Sequence, residues 1–252
     1  MSVAELTQPV VTAPAEEDEA AGKTMTIMEH LQELRFRLAV SAGAIVVAMI
    51  PGWFIAPWVI SLLREPVKEL GPLHYLNVGG AFILQLKIAA VLGVIFSLPV
   101  SLYQAWAFIS PGLTKRERRH SLPFVLLGLV LFVAGCYTAY RITPIAISFL
   151  LGFTNEDLAP LLVADQYISF VAIILLVFGV AFELPLVLVF LCQLGIISSG
   201  WLIQKLRYSI FIIFIVSTIV TPGADFITPL IMGTIMSGLY LLAIVLAKLI
   251  GK

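Results

Sequence analysis

Ala81 to Ile109 reads AFILQLKIAAVLGVIFSLPVSLYQAWAFI and runs straight into Ser110-Pro111-Gly112-Leu113-Thr114-Lys115-Arg116-Glu117-Arg118-Arg119-His120. The first part holds one charge, Lys87; the second is a block of cations. About 20 apolar residues suffice for a helix to cross the ~30 Å hydrocarbon core of a bilayer. A helix apolar on every side has no face for water, so this one belongs in lipid or inside a bundle. Positively charged loops stay in the cytoplasm, so the block after Ile109 sets the orientation.

Working outward, the pattern repeats along the chain. Further spans are expected at about Leu38 to Leu62, Leu122 to Leu151, Tyr167 to Cys192, Tyr208 to Val220 and Phe226 to Leu249. Pro51 and Pro57 interrupt the first, irregularity is expected near Pro144 in the third, and Pro185 stands near the end of the fourth. The whole chain of 252 residues is 60% hydrophobic and 12% charged, which leaves too little polar surface for a water-soluble domain. The expected fold is all-α: a polytopic membrane protein with six transmembrane helices. Two of these are short. Too few residues separate Arg207 from Pro222 to cover ~30 Å at ~1.5 Å per residue. Pro229 and nearby glycines are expected to loosen the start of the sixth. A short span thins the bilayer around it or packs within a bundle, and length alone does not choose between the two.

The remaining cations fix the topology. Lys23, Arg35 and Arg37, then Lys115 to Arg119, then Lys205 and Arg207, then Lys248 and Lys252 fall on one side. Arg64, Lys68 and Arg141 fall on the other. Both termini are therefore expected in the cytoplasm. Residues 1–24 carry Glu16, Glu17, Asp18 and Glu19 without an apolar run, and read as a disordered acidic tail rather than a secretory signal. Residues 25–252 form the six-span membrane domain. Zero net charge gives no field for nucleic acid. Cys136 and Cys192 fall in separate spans and read as buried hydrophobes. His30, His74 and His120 are scattered, so no metal site is expected. No Walker-type loop, GxSxG or HExxH occurs, which leaves ATPase or protease chemistry unsupported and points away from an enzyme. Aromatics near the span ends form an interfacial belt.

Three carboxylates stand out. Thr26 to Leu38, TIMEHLQELRFRL, opens with a capping box and carries Ile27, Leu31, Leu34 and Leu38 at helical spacing. It is expected as an N-terminal interfacial amphipathic helix. Glu33 in this helix and Glu117 in the first cytoplasmic loop share the cytoplasmic side. Each has a plain reading: Glu33 pairs with Arg37 four residues on, and Glu117 balances its cationic neighbours. The sharper reading is joint. Planar guanidinium groups are best held by carboxylates, so the two acids suit adjacent arginines of a peptide. Lys115, Arg116 and Arg118 would keep both acids ionised or repel wrongly docked cations. The third carboxylate, Glu183, lies ~14 Å inside the fourth span, where an ionisable residue is costly and by default functional. Lys87, at a different depth, is expected to snorkel outward rather than pair with it.

Four stretches resemble the TatC family of twin-arginine translocase subunits. His30-Leu31-Gln32-Glu33-Leu34-Arg35-Phe36-Arg37 resembles its N-terminal motif. Ser97-Leu98-Pro99-Val100 with Tyr103 to Leu113, running into Lys115 to Arg119, resembles its second-span and first-loop signature. Phe178 to Pro185, FGVAFELP, resembles its fourth-span signature, and Thr221-Pro222-Gly223-Ala224-Asp225 its last outer turn. The motifs occur in family order over residues 25–252. The resemblance implies a protein of the bacterial inner membrane that binds twin-arginine signal peptides of folded precursors at the cytoplasmic face. It implies work within an oligomeric complex with TatA and TatB, driven by the proton-motive force. It marks Glu33 and Glu117 as the signal-binding acids, Phe108 and Pro66 as sensitive positions, and Glu183 as the intramembrane acid. Arg118, Arg35 and Asp225 are further candidates within the motifs. Where many relatives carry an acid near the outer start of the second span, this chain has Gly79-Gly80. Two other classes stand beside this reading. One is a small-solute secondary transporter with Glu183 and Lys87 as its coupling site, and the other is a structural scaffold.

Overall fold

The computed structural model describes residues 27–109, 121–153, 161–221 and 226–249. The expected acidic tail lies outside them. Eight α-helices follow in order: α1 Ile27–Arg64, α2 Gly80–Ile109, α3 Ser121–Leu151, α4 Ala164–Ala181, α5 Leu184–Gln193, α6 Ser199–Gln204, α7 Leu206–Val220 and α8 Ile227–Leu249. A 3₁₀ turn, Glu65–Leu70, follows α1. Among the described residues five helical stretches are long and apolar enough to span a bilayer, the fourth being α4 and α5 together, and α7 is a shorter apolar helix.

The amphipathic N-terminal segment is present as the first turns of α1 and continues without a break into the span. No glycine or proline stands between Ile27 and Leu38, so nothing ends the helix there. The two prolines further along do not break it either. Pro57 lacks an N–H and leaves the Trp53 carbonyl without its helical donor. Gln85 of α2 supplies the missing bond, its Nε2 donating to Trp53 O at 3.2 Å. Replacing Gln85 by leucine should orphan that carbonyl and cost ~1–2 kcal/mol. Thermal unfolding of the full chain in detergent measures this. Adding Pro57→Ala, which restores the helical N–H, should make the Gln85 change nearly neutral.

The helix α2 runs antiparallel to α1 along most of its length. His30 meets Phe108, Arg37 meets Gln104, and a methyl at Gly52 would lie 2.9 Å from the Ala89 carbonyl oxygen. Small residues let helices approach closely in a membrane, where apolar burial gives little drive for association. The helices α3 and α4 use the same device more tightly. A Cβ at Gly135 would lie 2.5 Å from Phe178 O, and one at Gly179 would lie 2.6 Å from the Phe132 ring. The irregularity expected at Pro144 does not break α3. Nor does Pro229 loosen α8, because it stands in the first turn, where a proline costs no helical hydrogen bond. At 23 residues α8 is ~35 Å long, whereas the 15 residues of α7 cover only ~22 Å.

The fourth span departs furthest from a simple rod. It stops at Ala181 and restarts at Leu184, with Pro185 just inside the new helix. Proline cannot donate to the carbonyl four residues back, so the break falls on Phe182 and Glu183. The buried apolar side chains form two cores that divide along α4. One, around Leu84, Ile88, Ile168 and Val171, lies at the end opposite Glu33. The other joins Ile174 and Phe178 to Met232, Met236 and Tyr240. Large apolar side chains such as Phe54, Trp58, Val133 and Ile219 are exposed on the outside. A contiguous apolar exterior of this kind suits lipid.

Candidate functional site

At one end of the α1–α2 pair, three polar side chains form a chain of contacts. Glu33 and Arg37 are one helical turn apart on α1, and Gln104 faces them from α2. Arg37 Nε donates to Glu33 Oε1 at 2.9 Å, and its Nη2 donates to the same oxygen. Arg37 Nη1 donates to Gln104 Oε1 at 3.1 Å. Glu33 Oε2 is shut off from solvent and has no hydrogen-bond partner among the described residues. His30 Nδ1 stands 3.9 Å from this oxygen, and the His30 side chain is half-exposed. Its ring stacks on Phe108, centroids 4.3 Å apart and planes within 15°. Beside this cluster a groove of about 330 Å³ opens between the helices, lined by Leu34, Arg37, Leu38, Ser101, Gln104 and Phe108 among others.

Arrangement by arrangement, this end can do one thing well. It holds a carboxylate rigidly with one acceptor oxygen unused, next to an aromatic pair and an apolar groove. That suits a cationic group attached to an apolar segment. The pairing of Glu33 with Arg37, the plain reading of this acid, is therefore present, and it leaves half of the carboxylate free.

The other expected site residues fall elsewhere. Arg35 is exposed, two residues and so ~200° around the helix from Glu33, and does not join the cluster. Pro66 is half-buried in the 3₁₀ turn at the far end of α1. Glu117, Arg118 and Asp225 lie outside the described residues. The ends of the segment that carries Glu117 and Arg118 are Ile109 and Ser121, and Ile109 belongs to the Glu33 end.

Glu183 occupies the break between α4 and α5. Both its carboxylate oxygens are buried without a hydrogen-bond partner among the described residues. They face Gly128 of α3, where an added Cβ would come within 3.2 Å of Oε2 and 2.8 Å of the Leu102 side chain. Glycine at 128 therefore makes room for the acid. Lys87 is not near it. Leu102 stands 15 residues from Lys87 along α2, ~22 Å. Lys87 reaches instead to Asp165 at the start of α4, with Nζ 2.7 Å and 2.9 Å from the two oxygens. The snorkelling expected of Lys87 thus has a specific destination. The sequence pattern gave Asp165 no partner, and Gln104 stood only within a motif. A signal for Gln104 was present: it is a glutamine in an otherwise apolar stretch, one turn before Phe108.

A bundle of long apolar helices with an apolar exterior is a multi-pass membrane protein. The family model for the Sec-independent protein translocase protein TatC matches residues 29–234. A TatC of Carboxydothermus hydrogenoformans is 38% identical over 230 residues, covering 90% of this chain and 95% of its own. A TatC of Aquifex aeolicus is 37% identical, covering 89% and 95%. A crystal structure of the twin arginine translocase receptor TatC superposes with a TM-score of 0.78 at 36% identity, over 89% of this chain and all of its own. A second, in DDM, gives 0.79 over 87% and 99%. The chain belongs to the TatC family of protein translocase subunits.

Proposed function

We propose that this chain is the signal-peptide-binding subunit of a twin-arginine translocase, seated in the bacterial inner membrane with both termini in the cytoplasm. It binds the paired arginines of a precursor's signal at its cytoplasmic face and works with TatA and TatB under the proton-motive force. The observation that carries this reading is Glu33: a carboxylate held by Arg37 with a second oxygen that has no hydrogen-bond partner among the described residues. A buried unsatisfied acceptor is costly, and a guanidinium is the group best shaped to satisfy it. A guanidinium reaches Oε2 only by moving a neighbour, and the half-exposed His30 is the neighbour with room to move. Glu117 is proposed as the second acid of the pair, with Arg118 beside it, and Phe108 as the platform under the site. The groove beside Arg37 gives the apolar part of the signal a place to lie.

Glu183 is proposed as the polar point met by an inserted signal or by a polar residue on a partner helix. Its two unsatisfied oxygens support that role. The transporter reading draws less support, because its two coupling residues are far apart and Lys87 is already paired.

Site-specific photocrosslinking tests the assignment. Crosslinkers at positions 34 and 116, each next to one of the two acids in sequence, should capture a twin-arginine precursor and lose most of the yield with a twin-lysine control. A crosslinker at 187, one helical turn after Glu183 and exposed, should capture signal or partner only when the precursor has engaged. Equal yields with arginine and lysine at positions 34 and 116 would remove the site from this end of the protein.

A further inference from the structure

We infer that Gln104 and Arg37 are positioning residues for guanidinium recognition. Gln104 holds one nitrogen of Arg37, the other two nitrogens of Arg37 both donate to a single oxygen of Glu33, and the second oxygen is thereby kept for the ligand. The inference rests on the reading of Glu33 as a signal-binding acid and adds how that acid stays available. An arginine one turn from a glutamate ordinarily closes on it as a fork, one N–H to each oxygen. A carboxylate so clasped is neutralised from within and has little left for a second guanidinium. Here the clasp is incomplete. Nε and Nη2 both go to Oε1, and Nη1 is diverted to Gln104 Oε1 at 3.1 Å across the helix interface. Glu33 Oε2 has no hydrogen-bond partner among the described residues. Gln104 is suited to this work because its amide oxygen is an acceptor within reach of Nη1 across the helix interface. It is half-buried in the groove wall that ends at Phe108, so it is held near the site.

The relay gives a signature that packing does not. Gln104→Leu, a benign side chain in a membrane helix, frees Nη1 to swing onto Glu33 Oε2 and close the fork. Gln104→Glu keeps an acceptor in the same place and keeps Arg37 drawn aside. The experiment measures the affinity of full-length protein in detergent for a labelled twin-arginine signal peptide, beside its twin-lysine counterpart. Gln104→Leu should weaken twin-arginine binding about tenfold, as for the loss of one coupled polar contact, and change twin-lysine binding by less than about twofold. Gln104→Glu should bind as the parent does or more tightly. The Glu33→Gln/Gln104→Leu double variant should be no weaker than Glu33→Gln alone. A merely structural Gln104 would give the reverse order, with leucine tolerated and glutamate damaging, and that result overturns the relay. If leucine prevents insertion, loss of twin-arginine binding in the glutamate variant overturns it equally. Weak binding by Glu33→Gln with parental binding by Gln104→Leu overturns the relay and leaves the Glu33 site standing. Parental binding by Glu33→Gln overturns both.

Discussion

Glu33→Gln is expected to weaken twin-arginine peptide binding by roughly 10- to 100-fold while the protein still inserts and folds. A hydrogen bond to a charged group is worth ~1.5–3 kcal/mol, and each ~1.4 kcal/mol is a factor of ten. Glutamine keeps the shape of the side chain and one acceptor but loses the charge that a guanidinium completes. It also leaves Arg37 with Gln104 as a neutral partner, so the local field turns positive and opposes an arginine ligand. Fluorescence anisotropy with a labelled peptide measures the change, and a twin-lysine peptide should show much less of it. Unaltered affinity for the twin-arginine peptide would mean that Glu33 serves only its ion pair with Arg37.

Gly135→Val should be the most damaging single change in the bundle. The first carbon of any side chain there would stand 2.5 Å from Phe178 O and 2.9 Å from the Gly179 Cα. Both are backbone, so no rotamer change relieves the contact, and α3 and α4 have to separate. Overpacking of this kind costs about 3 kcal/mol. The strain falls on the pair of helices that also sets Gly128 against Glu183. A lower Tm in detergent, or loss of folded protein, is the expected result. Gly43→Ala is the control: nothing lies within 4 Å of an added Cβ there, and alanine favours the helix by ~1 kcal/mol. A Tm for Gly135→Val equal to that of the parent would show that the helices are not in the close contact described.

The spans were legible because a bilayer demands long apolar runs, and such runs survive any packing detail. Ala81 to Ile109 differs from α2 by a single residue at its start. The effects of proline were harder to read. Pro51, Pro57 and Pro144 sit within unbroken helices, whereas Pro185 accompanies a break. The outcome at Pro57 depends on Gln85, 28 residues away in sequence, and no local pattern announces such a partner. The same limit applied to the site. Glu33, Phe108 and Glu183 carried visible signals: an acid on an amphipathic stripe, a motif position and a charge in a span. Gln104 and the Lys87–Asp165 pair are contacts between helices, and only the register of α2 against its neighbours brings them together. Arg35 and Arg37 look alike in the motif, yet helical geometry sends one to the cluster and the other outward.

The unbroken length of α1 ties the site to the thickness of the membrane. Its 38 residues extend ~57 Å, nearly twice the hydrocarbon core. The helix is braced along α2 from His30–Phe108 to Trp53–Gln85, so the two behave as one lever. Tilting that lever by about ten degrees at its far end sweeps the Glu33 end sideways by about 10 Å, given ~1.5 Å of rise per residue. Lipids that thicken or thin the bilayer change the tilt and so change where the carboxylate is offered. For this protein, the position of the Glu33 end of α1 and the thickness of the membrane are one mechanical variable.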